Sequence, residues 1–100
     1  MKIKIRTEAL DDIEQIQSFI YKENPQAAKR IIEQIFLSIS FLSEQPYLGR
    51  LGVVESTREK VVAMTPYIII YLVTDYVDIV AVFDTRRDYL SLISERESLV

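Results

Sequence analysis

The sequence predicts an α+β fold with the element order β-α-α-β-β-β, in which a hairpin of two helices packs on one face of a mainly antiparallel sheet. Two observations predict it. Apolar residues recur at helical spacing over residues 7–45, and three apolar runs of strand-like composition follow over residues 58–83. A chain of 100 residues is long enough for one core, so we expect one domain over residues 1–100.

The first strand and the first helix are predicted before residue 23. Residues 2–6, KIKIR, alternate cationic and apolar side chains, which indicates a strand with Ile3 and Ile5 facing inward. Thr7 is expected to cap a helix that extends to about Lys22. The predicted apolar stripe of this helix consists of Ala9, Leu10, Ile13, Ile16, Phe19 and Ile20.

The second helix is predicted to start at Asn24-Pro25, because Asn caps helices and Pro is tolerated at the first helical position. Gln45-Pro46 is expected to end it. The short connection makes the two helices an antiparallel hairpin. The predicted apolar stripe of the second helix consists of Ala28, Ile31, Ile32, Ile35, Phe36, Ile39 and Leu42.

Three strands are predicted after a loop at residues 46–57, which contains both glycines. They run from Arg58 to Met64, from Tyr67 to Val73 and from Val77 to Phe83, and their short connections make them antiparallel neighbours. The middle run, PYIIIYLV, carries no charge on either face, which is typical of a central strand.

One face of this central strand is expected to remain uncovered by the helices. The predicted result is an exposed apolar patch, and such patches usually bind a partner. The patch would consist of Tyr67, Ile69, Tyr71 and Val73. A short C-terminal helix is predicted from Tyr89, through Leu90, Leu92, Ile93 and Leu99.

Composition excludes several classes of site. The chain has no Cys and no His, so it has no disulfide, no thiolate nucleophile and no Ser-His pair, and we expect no metal and no cofactor. No signal peptide or membrane span is recognisable, so a cytoplasmic location with no membrane association is expected. The net charge of −3 argues against a free-standing nucleic-acid binder. The basic residues outside the acidic segment 7–44 are candidates for one basic patch: Lys2, Lys4, Arg6, Arg50, Arg58, Lys60, Arg86 and Arg87.

Five segments of the chain resemble the RelE/ParE family of bacterial toxin-antitoxin proteins. They are NPQAAKRIIEQI at 24–35, PYLGRLG at 46–52, TRE at 57–59, PYIIIYLV at 66–73 and VFDTRRDY at 82–89. The resemblance spans nearly the whole chain, in the expected order and spacing. It implies the β-α-α-β-β-β fold and a toxin role in growth inhibition or plasmid stabilisation. It also implies a small antitoxin whose C-terminal segment wraps the toxin.

The resemblance leaves two targets open. RelE-like members are ribosome-dependent RNases that cleave mRNA, and they place an Arg directly after the Tyr that opens the central strand, where this chain has Ile68. Asp84 stands near the end of the last strand, where many members have His or Arg. Losing one positioned cation typically costs a few kcal/mol of transition-state stabilisation. The ParE-like alternative, a binding protein that inhibits DNA gyrase without being an enzyme, is therefore favoured.

Two further interpretations stay open. In the RNase alternative, Arg58, Lys60, Arg86 and Arg87 bind RNA on the ribosome and Tyr89 assists. In the other, the chain is a decayed, non-toxic module that still binds a partner in a toxin-antitoxin hetero-oligomer. The residues expected to contact the target or the antitoxin are Arg50, Arg58, Lys60, Tyr67, Ile69, Tyr71, Arg86 and Arg87.

Each of these residues also has a structural interpretation. Arg86 and Arg87 would form surface ion pairs with Asp84 or Asp88, and Arg50 would close its loop against the preceding helix. Arg58 and Lys60 would be solvated strand residues, and the tyrosines would belong to the core. A carboxylate pair of Asp84 with Glu55 or Glu59 is a further candidate for acid/base chemistry.

Overall fold

A computed structural model describes residues 1–96 and confirms the predicted fold class. Two long helices pack against a sheet that has five strands in the described chain, in the order β1-β5-β4-β3-β2. β1 is parallel to β5, and the other pairs are antiparallel. The elements are β1 Ile3–Ile5, α1 Thr7–Tyr21, α2 Pro25–Glu44, β2 Arg50–Leu51, β3 Thr57–Val61, β4 Tyr67–Val73, β5 Val77–Asp84 and α3 Tyr89–Ser94.

β4 lies at the centre of the sheet, as its uncharged sequence predicts. The predicted loop at residues 46–57 contains the short strand β2, which pairs with β3. The predicted C-terminal helix forms as α3, and Leu99 lies outside the described residues. Among the helices of residues 1–96, none is long and apolar enough to cross a membrane.

The cap predicted for α1 is wrong. Thr7 is the first helical residue, and the cap position is held by Arg6, whose side chain makes no capping hydrogen bond. The reason lies in β1, because the amide of Arg6 still donates to the carbonyl of Ile79 (3.0 Å) and so keeps Arg6 extended beside β5. The guanidinium of Arg6 instead pairs with the carboxylate of Asp78 at 2.8 Å. The chain thus turns from strand to helix without a side-chain cap.

The cap predicted for α2 is confirmed. The side chain of Asn24 accepts a hydrogen bond from the amide of Ala27 (3.0 Å), and Pro25 is the first helical residue. Three members of the predicted helix stripes are wrong, because Leu10, Phe19 and Phe36 are 46%, 70% and 41% exposed. They lie on the flanks of α1 and α2, because the buried face of each helix is narrower than the apolar stripe predicted for it. The buried residues of α1 and α2 are Ala9, Ile13, Ile16, Ala28, Ile35, Ile39 and Leu42.

The two faces of β4 belong to two different apolar clusters. Tyr67, Ile69 and Tyr71 pack under the helix hairpin, whereas Ile68 and Ile70 pack on the other face with residues of β5 and α3. The predicted exposed patch is therefore wrong. The alternation of the strand is correct, but the helices cover the face that carries the tyrosines, and α3 covers the opposite face.

Candidate functional site

The register of β3 against β4 decides which side chains share a face of the sheet. Arg58 lies opposite Tyr71, and Lys60 lies opposite Ile69. Residues directly opposite each other in an antiparallel pair point to the same face. Arg58 and Lys60 therefore lie on the face of the helix hairpin. Ile68 lies on the other face.

Arg58 holds the loop that follows α2. Its guanidinium donates to the carbonyl of Gly49 (2.8 Å) and stacks over the ring of Tyr47 at 4.9 Å from the ring centroid. Tyr71 reaches the same loop: its hydroxyl donates to the carbonyl of Pro46 and accepts from the amide of Gly49, both at 2.8 Å. Arg58 is half-buried and Tyr71 is fully buried, and both side chains stabilise the loop after α2 through these hydrogen bonds.

Gly49 is required by this close approach. A Cβ atom at this position would lie 2.6 Å from the hydroxyl oxygen of Tyr71 and 2.8 Å from the carbonyl oxygen of Glu59. Both distances are shorter than a carbon and an oxygen tolerate. Burial raises the pKa of Tyr71, so the phenol stays protonated and keeps its hydrogen bond to Pro46.

Arg50 pairs with Glu59 across β2 and β3 (3.1 Å). The side chain of Glu59 is 2% exposed, whereas that of Arg50 is 64% exposed, and Glu59 also accepts from the amide of Val53 (3.2 Å). Arg50 thus closes its loop against β3, and the predicted contact with the preceding helix is replaced by this ion pair. Lys60 donates to the carbonyl of Val61, the next residue (3.0 Å).

The proposed carboxylate pair of Asp84 and Glu59 does not form. Glu59 lies opposite Ile70, on the α3 side of the sheet, whereas Asp84 lies opposite Tyr67, on the side of the helix hairpin. Asp84 is held instead by Arg86, whose guanidinium approaches it to 2.6 Å. This hydrogen bond holds the pKa of Asp84 below its ordinary value of 3.8. Glu55 is exposed in the turn before β3.

The basic residues do not form one patch. β1, with Lys4, and β2, with Arg50, lie at opposite edges of the sheet. Arg58 and Asp84 are separated by four residues along β4 and two strand spacings, which places their Cα atoms about 16 Å apart. The basic side chains proposed to bind RNA are therefore distributed over two regions, and Arg58 and Arg86 are each already engaged.

A groove of about 530 Å³ runs between α1, the adjoining ends of β4 and β5, and the C-terminal segment. We call it the α1–β5 groove. It contains two of the predicted contact residues, Tyr67 and Arg87, and three residues that sequence reasoning missed for this role, Phe19, Leu92 and Arg96. The remaining lining residues are Asp12, Gln15, Ile16, Val82, Phe83 and Asp84.

Two polar side-chain groups in the groove form no hydrogen bond and no ion pair within residues 1–96. Tyr67 is 4% exposed, but its hydroxyl makes no hydrogen bond to another described residue, and burial, followed by the charge of Asp84, raises its pKa. The exposed guanidinium of Arg87 forms none of the ion pairs of the described chain. The groove therefore offers one hydroxyl donor and one cation beside the aromatic rings of Phe19 and Phe83.

The wall of the groove is fixed by a pair that the sequence did not indicate. Arg96 donates to both carboxylate oxygens of Asp12, at 2.9 and 2.7 Å, and to the carbonyl of Val80 at 2.8 Å. Asp12 also accepts from the amide of Val82 (3.0 Å). β1 ends at Ile5, opposite Ile79, so among the strands of residues 1–96 none lies beside the edge of β5 beyond that point. The side chains of Asp12 and Arg96 instead form hydrogen bonds with backbone groups of this edge, the amide of Val82 and the carbonyl of Val80.

Tyr89, the late aromatic of the RNase alternative, is the first residue of α3 and packs against the apolar cluster of Ile68 and Ile70. Ile69 is fully buried under the helix hairpin, so it is absent from the surface. Of the predicted contact residues, the structure brings Tyr67, Arg86 and Arg87 together near the end of β5. Arg50, Arg58 and Lys60 lie toward the other edge of the sheet, on β2 and β3.

Two comparisons with known proteins agree on the family, and a third agrees on the fold. The family model described as ParE toxin of type II toxin-antitoxin system, parDE, matches residues 3–89. A curated protein of Sinorhizobium fredii (strain NBRC 101917 / NGR234), named "Putative toxin Y4kP", is 35% identical over 88 residues, which are 88% of this chain and 92% of that protein. A solved structure titled "Chromosomal ParDE TA system from P. aeruginosa" shares the fold, with a TM-score of 0.77 and 18% identity over 84% of this chain and 95% of that one. This chain belongs to the ParE toxin family of type II toxin-antitoxin systems.

Proposed function

We propose that the protein inhibits bacterial growth by acting on DNA gyrase in the cytoplasm, and that a cognate antitoxin holds it inactive. The observation that carries the choice of target is the environment of Ile68. Its side chain is 0% exposed, in a cluster with Ile70, Phe83 and Ile93. RelE-like RNases carry a cation at this position, and an apolar core cannot stabilise the charge that develops on a phosphate during cleavage.

The surrounding basic residues support the same choice. Arg58 and Lys60 point to the opposite face of the sheet from Ile68, and Arg86 is engaged by Asp84. A ribosome-dependent RNase would need several of these cations directed at one phosphate. A binding protein has no such requirement, because its surface can contact a large partner at several separate points.

The antitoxin is proposed to fill the α1–β5 groove. Phe19 is 70% exposed beside it, and the groove offers the hydroxyl of Tyr67 and the guanidinium of Arg87 to a partner. An apolar segment carrying a carbonyl or carboxylate acceptor suits this combination of aromatic rings and donors. Closing the groove would also bury Phe19. The product would be a toxin-antitoxin hetero-oligomer.

The test is a DNA supercoiling assay with purified gyrase and the antitoxin-free protein. We expect inhibition of supercoiling and accumulation of cleaved gyrase-DNA complexes, and reversal of both by an equimolar amount of the antitoxin. Heat-denatured protein is the control for non-specific inhibition. Unchanged supercoiling and unchanged cleavage complexes with folded protein would exclude gyrase as the target.

One observation favours the RNase alternative. Arg87 is exposed and has no ion-pair partner within residues 1–96, and it lines the same groove as Tyr67. This alternative predicts cuts at the ribosomal A site in translated mRNA, detected by primer extension, that disappear in the Arg87→Ala variant. A cleavage pattern identical with and without the protein would eliminate it.

A further inference from the structure

α2 carries apolar side chains on the face that points away from the core. Its buried residues include Ile35, Ile39 and Leu42, and at 100° per residue Leu37 lies on nearly the opposite side of the helix. Leu37 is 49% exposed, and Phe41, one turn later, is 54% exposed. The outer face of an amphipathic helix is normally polar. These two side chains therefore form an apolar centre on the solvent-facing side of α2, and packing within the chain does not account for it.

Opposite charges flank this apolar centre at equal distances. Arg30 precedes Leu37 by seven residues, and Glu44 follows it by seven. Because seven residues make almost two full turns, all three side chains point in nearly the same direction. Arg30 and Glu44 are exposed, and neither takes part in an ion pair within residues 1–96. We call this line of residues the outer α2 face.

We propose that the outer α2 face binds a second copy of the chain, with the two α2 helices antiparallel and a two-fold axis beside Leu37. In this arrangement residue numbers that face each other add up to 74, twice 37. Arg30 then faces Glu44 of the second copy, and this pairing occurs twice. A surface that complements itself under a two-fold rotation is the requirement for a closed homodimer.

The charges near each end of this contact also balance. Lys29 and Arg30 of one copy lie near Glu33 of the same helix and Glu44 of the second copy, so two cations meet two carboxylates. Phe41 of each copy, one turn from Leu37, borders the Leu37 contact and faces Glu33 of the other copy, because 41 and 33 also add up to 74. A parallel arrangement would place Arg30 against Arg30 and Glu44 against Glu44, and repulsion would disfavour it.

The size of the contact sets its strength. From residue 30 to residue 44, α2 spans about 21 Å at 1.5 Å per residue. A single helix pair of this length buries less than the roughly 1,200 Å² of a standard stable interface. The dimer should therefore be weak and concentration-dependent. This proposal is independent of the target and does not use the α1–β5 groove.

The test is sedimentation velocity of the full chain from about 5 to 300 μM. The wild-type protein is expected to shift from monomer to dimer over this range. Leu37→Glu should abolish the shift, and Arg30→Glu and Glu44→Arg should each weaken dimerisation about tenfold or more. The double variant R30E/E44R restores opposite charges and should recover affinity to within about threefold of wild type. Lys22→Glu, an exposed charge change at the end of α1, is the matched control and should have no effect.

Three results would overturn the proposal. The first is a wild-type chain that stays monomeric at about 300 μM, including one that buries Leu37 only in complex with a different protein. The second is a dimer indifferent to Leu37→Glu. The third is a double variant as weak as its single variants, which would exclude the antiparallel register. Circular dichroism of each variant checks that the fold is kept, as expected for substitutions of exposed residues.

Discussion

Ile68 of β4 lies directly opposite Phe83 of β5, and both side chains point to the sheet face that α3 covers. Ile93 of α3 is 1% exposed and packs into the same cluster. RelE-like RNases place a cation at the position of Ile68. In this protein the position belongs to the second apolar core.

Placing a cation at position 68 should destabilise the folded protein. We expect Ile68→Arg to lower the free energy of unfolding by at least about 3 kcal/mol, because an unpaired charge would be buried among apolar side chains. Urea denaturation followed by circular dichroism measures this. Val61→Arg is the matched control, because Val61 lies opposite Ile68 on the same face and is 44% exposed, so its change should stay below about 1 kcal/mol. Equal effects of the two substitutions would contradict a buried core at Ile68.

The pair of Asp12 and Arg96 should anchor the C-terminal helix. Asp12→Asn removes the charge that two guanidinium nitrogens contact, and leaves Arg96 with 18% of its side chain exposed. We expect a loss of about 2–3 kcal/mol in the free energy of unfolding and faster hydrogen exchange of the α3 amides. The neighbouring exposed Asp11→Asn should change neither measurement. Unchanged exchange in Asp12→Asn would show that α3 is held without this pair.

The hydroxyl of Tyr71 should stabilise the loop after α2. Tyr71→Phe loses hydrogen bonds to Pro46 and Gly49 and leaves both groups without their partner, which should cost about 1–3 kcal/mol of unfolding free energy. Thermal and urea denaturation measure the loss. Tyr76→Phe is the control, since the hydroxyl of Tyr76 makes no hydrogen bond among the described residues, and its effect should stay within about 0.5 kcal/mol. A Tyr71→Phe protein as stable as wild type would argue against the loop clamp.

The α1–β5 groove allows binding to be separated from stability. The hydroxyl of Tyr67 and the guanidinium of Arg87 form no hydrogen bond and no ion pair within the described chain, so Tyr67→Phe and Arg87→Ala should leave the unfolding free energy within about 0.5 kcal/mol of wild type. Each should weaken antitoxin binding about tenfold, as measured by calorimetry. Lys29→Ala, distant on α2, serves as the control. Wild-type affinity in both variants would place the antitoxin elsewhere.

The pair of Asp84 and Arg86 should contribute stability with a defined pH dependence. The hydrogen bond from Arg86 lowers the pKa of Asp84 in the folded protein, so the folded state favours the ionised carboxylate. That contribution is present above the ordinary Asp pKa and is lost as the pH falls through the lowered, folded-state pKa. Urea denaturation between pH 2.5 and 7 should therefore show Arg86→Ala less stable than wild type near neutral pH, with the difference shrinking as the pH falls below 3.8. A difference of constant size across this pH range would point to another role for Arg86.

Local patterns in the sequence predicted most of the fold. The Asn24-Pro25 cap, the helix hairpin and the central position of β4 follow from interactions within a few residues, which a sequence displays directly. The face of β4 that the helices cover was predicted wrongly. A strand that is apolar on both sides, such as Tyr67–Val73, carries no signal for which face meets which layer.

The candidate site was predicted only in part, because it depends on contacts between distant residues. Asp12 and Arg96 are 84 positions apart, and nothing local marks them as partners. Phe19 fits the helical stripe equally well as a core residue or a groove residue, and only the packing of α1 on the sheet decides between the two. Arg58 and Lys60 were placed correctly on a strand, but their face depends on the register of β3 against β4.

The most direct test of the proposed gyrase target is inducible expression in a bacterial host, with DNA and protein synthesis pulse-labelled separately as growth slows. The matched control is expression together with the antitoxin, which should abolish the loss of DNA synthesis and the SOS response. We predict that DNA synthesis falls first and that the SOS response is induced, because a gyrase inhibitor blocks replication before it affects translation. An early collapse of protein synthesis with continuing DNA synthesis would contradict this account and would indicate a ribosome-dependent RNase.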